Sequence, residues 1–198
     1  GELQLSRGES PRDTALVLSR LVQAIAIRTG AHSVVEEIAE HSSVPVINML
    51  TQDHHPCQAL ADLMTLRERF GQLEGLKLAY VGDGNNMTRS LMVACRIAGV
   101  EFAAATPPGL SLPELAPLSL DEAVAGAHAI YTDVWISMGD EDEAQRRSDL
   151  APFQLDADLL AAAKERAIVL HCLPAHPGEE ITAEVLYGGR SAVWDQAE

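Results

Sequence analysis

The chain is short of positive charge. Only fourteen Lys plus Arg stand against twenty-nine Asp plus Glu, a formal net charge of −15 in 198 residues. Only Lys77 and Lys164 are lysines. Phosphate backbones and anionic lipid surfaces would repel such a chain, so nucleic acid and membrane are not expected as partners. Cysteine is also scarce. Cys57, Cys95 and Cys172 lie far apart and form no Cys-x-x-Cys pair, which argues against a disulfide framework or a structural zinc site. A reducing, cytoplasmic setting follows. Long apolar runs are missing, so no membrane-spanning helix is expected, and Gly1 to Arg7 lacks the basic start and apolar stretch of a secretory signal.

What is present is ordinary globular composition, 47% hydrophobic and 22% charged. Short β-type apolar runs alternate with amphipathic stretches. Strands are expected at Ala24–Ile27, Val44–Ile47, Leu76–Val81, Val100–Ala105, Ala129–Asp133 and Ala167–His171, with a last short one at Ala192–Trp194. Helices are expected at Val34–Glu40, Pro56–Phe70, Met87–Ala98 and Asp156–Lys164. This alternation predicts an α/β fold of two Rossmann-like parallel-sheet domains, the first one incomplete. A seam at Gly71–Gly75 would separate residues 1–72 from 73–198. Residues 107–117 and 139–147 read as loops, the second with an acidic run that suits a solvated loop or helix start.

In open parallel sheets ligands bind beyond the carboxyl ends of the strands. Here the residues after each strand are polar and chemically capable. Arg28 offers a planar fork suited to phosphate, though an isolated arginine is more often a surface residue. His55 and Gln58 lie three apart at a helix start and could bind a carbonyl oxygen and an amide. His54-His55 invites a metal, but adjacent residues diverge on a helix and no acidic partner follows, so no metal is expected. Gly82-Asp83-Gly84-Asn85-Asn86 lacks the third glycine of a dinucleotide loop and the acidic residue after the next strand, which counts against a nicotinamide cofactor. Asp133 could bind an ammonium group with Ser137 following it. Cys172 reads equally as a buried, inert thiol.

Taken together, these segments resemble the aspartate/ornithine carbamoyltransferase family, and within it the ornithine carbamoyltransferases, from Leu3 to Glu198. His55-Pro56-Cys57-Gln58 is similar to the family's His-Pro-x-Gln motif. Asp133-Val134-Trp135-Ile136-Ser137-Met138-Gly139 is similar to the ornithine-selective loop, and His171-Cys172-Leu173-Pro174-Ala175-His176 to the His-Cys-Leu-Pro-Ala-His signature. The resemblance implies transfer of the carbamoyl group of carbamoyl phosphate to the δ-amine of L-ornithine, giving L-citrulline, with no metal or organic cofactor. It implies Arg28, His55, Pro56, Cys57, Gln58, Cys172 and Leu173 as the carbamoyl-phosphate set, with Arg28, His55 and Cys172 at the reaction. Asn86, Asp133, Ser137 and Met138 are the implied ornithine set. Cys172 paired with Asp133 is the candidate for keeping the attacking amine neutral.

Several features depart from the family pattern. The family's Ser-x-Arg-Thr-Arg phosphate motif is absent from this sequence, whose only Arg-Thr is Arg28-Thr29. The family's final Asn-Arg and helix are absent too. Pro177 replaces a common Arg, and Gly30 a common aromatic. Little turnover is therefore expected of this chain alone, with a homotrimer expected for the full-length protein. The alternative is a non-catalytic paralogue or fragment that binds ornithine or a partner protein.

Overall fold

The computed structural model describes residues 8–137 and 141–198. The chain divides into two compact units, Gly1–Cys57 and Gln58–Glu198.

The first unit alternates helix and strand: α1 (Pro11–Leu18), β1 (Ile25–Arg28), α2 (His32–His41) and β2 (Val46–Leu50). Ser10 caps α1, its side chain accepting from the Asp13 amide, and Pro11 follows at the first helical position, where its missing N–H costs nothing. This helix was not expected, because its apolar stripe is narrow and only Ala15 is buried. β1 and β2 pair in parallel, Ile25 opposite Val46 and Ile27 opposite Asn48. One face of the pair packs Ile25, Ile27 and Val46 against Ala15, Ile38 and Val34. The other face, through Ile47 and Met49, stays exposed, as the two-residue side-chain period requires.

The second unit holds α3 (Pro56–Phe70, opening at the boundary), β3 (Lys77–Val81), α4 (Asn86–Ala98), β4 (Glu101–Ala105), α5 (Leu120–Val124) and β5 (Ala129–Thr132). It continues through α6 (Glu143–Leu150), α7 (Ala157–Ala162), β6 (Ile168–His171), α8 (Ala183–Leu186) and α9 (Val193–Gln196). Its sheet is parallel throughout, in the order β4-β3-β5-β6. Both faces are covered, so the strands are apolar through their middles, with polar residues only at their ends, such as Lys77 and His171. Successive residues of β3 serve opposite cores. Leu78 and Tyr80 join Leu66 of α3 and Leu91 of α4, whereas Ala79 and Val81 join Leu155, Ile181 and Val193. Thus α3 packs in the core of the second unit, although the sequence groups it with residues 1–72.

The stretch Ala192–Trp194, expected as a strand, begins a helix instead. Only Ser191 bridges β6, through Val169, before the chain turns into α9. Three apolar residues in a row fit a buried strand or a buried helical turn equally well, and tertiary packing chose the second. Residues 143–147, expected in a loop, open α6.

Candidate active site

From β3 the chain crosses outward to β4 and then returns to the other side of β3 as β5. The winding reverses between β3 and β5, the point of an open parallel sheet beyond whose strand ends ligands bind. The loop after β3 turns at Gly82, whose φ of 133° suits glycine, and reaches Asn85, the N-cap of α4. The Asn85 Oδ1 accepts from the amides of Met87 (2.9 Å) and Thr88 (3.1 Å). This capping fixes the amide's orientation, so Nδ2 must point away from the helix as a donor. It donates to Asp133 Oδ2 at 2.7 Å.

Asp133 follows the end of β5 and is 6% exposed. Its Oδ1 also accepts from the Val134 amide at 2.8 Å and from the Cys172 thiol at 2.9 Å. The structure thus brings together the Cys172 and Asp133 that the sequence pairs. Burial, and then the charge of Asp133, push the Cys172 thiol well above its ordinary value of 9.0. Cys172 is therefore a neutral donor at neutral pH, not a thiolate.

The segment after β6 is held by His171. Its Nδ1 accepts from the Leu173 amide at 2.8 Å, which leaves Nε2 to carry the proton toward Glu180 Oε1 at 3.1 Å. Both side chains are fully buried. Glu180 Oε1 also accepts from the His176 amide at 2.5 Å. Leu173 itself adopts φ 57°, a left-handed conformation unusual for a residue with a Cβ. Asp133, His171 and Cys172 offer an oxygen, a ring nitrogen and a sulfur within 4.8 Å of one another. Both nitrogens of His171 are already engaged, so a metal there would have to break this scaffold.

A second buried cluster lies alongside. Asp62, fully buried on α3, accepts from Gln58 Nε2 at 2.9 Å and from Gln196 Nε2 at 2.6 Å, both on Oδ1. Gln196 Oε1 in turn accepts from the His171 amide at 2.8 Å. Burial raises the Asp62 carboxyl from 3.8 to about 7, even though the two amides oppose the shift. The Tyr131 hydroxyl is buried near Asp62, Cys172 and Asp133. Burial and their charges hold its ionisation well above the ordinary value of 10.0.

Of the other residues singled out, Asn86 opens α4, its carbonyl accepting from Ser90 Oγ at 2.7 Å. Its neighbour Asn85, not Asn86, donates to Asp133. Ser137 is half-buried, and Met138 lies outside the described residues. In the first unit Arg28 stands exposed at the end of β1. The turn before α3 is shaped by Thr51, which accepts from the His54 amide at 3.1 Å and meets His32 Nδ1 at 3.0 Å. His54 packs edge-on against His32. His55 precedes Pro56, and the exposed Cys57 thiol donates to the Asn48 carbonyl at 3.4 Å.

Comparison with known proteins agrees with this arrangement. The family models for the aspartate/ornithine carbamoyltransferase carbamoyl-P binding domain and Asp/Orn binding domain match residues 1–68 and 74–198. The chain belongs to the aspartate/ornithine carbamoyltransferase family. It is 51% identical to the ornithine carbamoyltransferase of Gloeobacter violaceus, over 98% of this chain and 68% of that protein. With that of Methanoculleus marisnigri the identity is 49%, over 100% of this chain and 68% of the other. The solved ornithine carbamoyltransferase from Pyrococcus furiosus superposes with a TM-score of 0.93 at 47% identity, covering 98% of this chain and 68% of that one. The chain therefore spans about two thirds of the length of these carbamoyltransferases.

Sequence reasoning missed Asp62, Asn85, Glu180 and Gln196. Two of them had a local signal: Asp62 lies four residues after Gln58 on a helix, and Asn85 is a capping residue before a helical pattern. Glu180 and Gln196 had none, since their partners come from other elements.

Proposed function

We propose that the chain binds L-ornithine at the carboxyl ends of β3, β5 and β6 and takes part in its carbamoylation by carbamoyl phosphate, yielding L-citrulline and phosphate. The observation that carries this reading is Asp133, a nearly buried carboxylate with three donors on it, at the reversal of strand order and at the head of the ornithine-type loop. In this reading Asp133, Asn86, Ser137 and Met138 bind the α-amino and α-carboxylate groups of ornithine. Arg28, His55, Pro56, Cys57 and Gln58 serve carbamoyl phosphate, Arg28 and His55 polarising the carbonyl and Gln58 gripping the amide. Cys172 and the Leu173 backbone line the reacting centre.

The δ-nitrogen must attack as a neutral amine. The neutral Cys172 thiol and the buried Tyr131 add no negative charge that would hold an ammonium there, and desolvation favours the uncharged form. The nitrogen lone pair forms a bond to the carbonyl carbon, and the bond from that carbon to the phosphate oxygen breaks. Its electron pair leaves with phosphate, which takes the proton shed by nitrogen. Positioning and charge stabilisation carry such a step, and none of these residues becomes covalently bound.

No helix among the described residues is long and apolar enough to cross a membrane. The family resemblance adds a cytoplasmic location and a homotrimeric full-length protein, which light scattering would test. The function is tested by melting curves with L-ornithine, L-aspartate or putrescine, followed by a citrulline assay with both substrates. The expected result is a rise in melting temperature with ornithine alone. Citrulline formed only when carbamoyl phosphate is also present would establish transfer, and binding without citrulline would favour the non-catalytic alternative. Stabilisation by aspartate in place of ornithine would overturn the reading.

A further inference from the structure

A glutamine side chain can present either its carbonyl or its NH2 group to a ligand, and which one it presents is set by what holds the other end. Gln58 and Gln196 approach the same oxygen. Both donate through Nε2 to Asp62 Oδ1, at 2.9 and 2.6 Å, and Oδ2 has no hydrogen-bond partner. Turning either amide over would aim a carbonyl oxygen in place of a donor at the fully buried Asp62 Oδ1 and lose the hydrogen bond that now satisfies it. The consequence is already visible for Gln196, whose Oε1 is left facing the buried His171 amide and accepts from it at 2.8 Å.

We propose that Asp62 is a positioning residue whose Oδ1 fixes the orientation of both amides, so that Gln58 offers Oε1 as an acceptor for the NH2 group of the transferred carbamoyl, and Gln196 holds the backbone that carries Cys172. The first half rests on the role given above to Gln58. The proposal makes Asp62 a determinant of specificity. A carbamoyl group brings N–H donors to Gln58, whereas an acetyl group of the same shape brings a methyl group that gains nothing from an acceptor. A reversed Gln58 would set donor against donor and lose the distinction. Because both bonds use Oδ1, the function requires an acceptor at that point and no charge. Asparagine can supply it, and alanine cannot.

The test uses the whole chain labelled with nitrogen-15. In the wild type, the side-chain NH2 groups of the half-buried Gln58 and the buried Gln196 should exchange with water at least about tenfold more slowly than that of the exposed Gln52, because each is hydrogen-bonded to the buried Asp62. Asp62→Asn should keep this protection and Asp62→Ala should abolish it. Exchange of the Gln58 amide as fast as that of Gln52 in the wild type would overturn the proposal, even if Asp62→Ala does not fold. Competition between carbamoyl phosphate and acetyl phosphate supplies the functional reading. The wild type and Asp62→Asn should favour carbamoyl phosphate by about tenfold, the worth of one hydrogen bond, and Asp62→Ala should show no preference. Protected amides without any preference in the wild type would overturn the role assigned to Gln58 and leave the positioning of Gln196 standing. A preference that persists in Asp62→Ala would overturn the specificity claim itself.

Discussion

Cys172 and Asp133 lie 39 residues apart in sequence and share a hydrogen bond of 2.9 Å, with the sulfur as donor. The adjacency of β5 and β6 in the sheet makes this possible, because parallel strands in register end side by side. Burial first, and then the charge of Asp133 and this bond, keep the sulfur protonated and neutral.

Thiol labelling should follow this ordering. With iodoacetamide near neutral pH, the exposed Cys57 reacts first and Cys172 slowly. Cys95, buried and pushed up to about 12, reacts only on unfolding. In Asp133→Asn the charge facing Cys172 is gone, and its labelling should accelerate about tenfold by peptide mass spectrometry. An unchanged rate would show that Asp133 does not control the thiol.

The same substitution should remove the effect of ornithine. Asp133→Asn retains its shape but not the negative charge proposed to meet the α-ammonium group. Ornithine binding measured by calorimetry should weaken at least about tenfold, the scale of one charged hydrogen bond.

Asp62 should leave a signature in stability against pH. Its carboxyl is held at about 7 in the folded chain, against an ordinary 3.8, with Gln58, Gln196 and Tyr131 beside it and the charge of Asp133 nearby. The folded chain therefore keeps this proton to higher pH than the unfolded chain does. The stability it contributes is fullest below the ordinary value, falls as pH rises through the interval, and levels off above about 7. The full span amounts to roughly 4 kcal/mol. Urea unfolding at several pH values should show a shallower decline for Asp62→Asn than for the wild type.

Arg146 of α6 donates to Asp83 Oδ2 at 2.7 Å, with both side chains mostly buried, and so ties the segment after the ornithine-type loop to the loop after β3. Arg146→Ala leaves a poorly solvated carboxylate and should cost about 2–3 kcal/mol in urea unfolding. Gly84 is a packing position in the same loop. A Cβ there would stand 2.4 Å from the Leu110 carbonyl oxygen and 2.8 Å from the Leu112 nitrogen. Gly84→Ala should destabilise by about 1–3 kcal/mol, because the opposing atoms are backbone and cannot swing aside.

Much of this protein was legible before folding. The helix from Pro56 to Phe70 emerges from the structure with the bounds its sequence implies, because a proline start, a recurring apolar stripe and a following glycine are all local signals. Strand ends rich in polar residues marked the candidate site for the same reason. The short helices α1, α5 and α8 were not legible. The capping at Ser10, Ser119 and Thr182 holds helices of eight, five and four residues, too short for a periodic pattern to stand out.

The sequence by itself determined the α/β alternation, the motifs and the family, since each is written in stretches of a few residues. Only the tertiary structure decided which of those stretches meet. Placing β5 beside β3 brings Asn85 to Asp133. The closing helix brings Gln196 to Asp62 across 134 residues, and the turn after β6 brings Glu180 back to His171. Sheet order, and the need of every buried polar group for a partner, settle those pairings, and neither operates within a single segment.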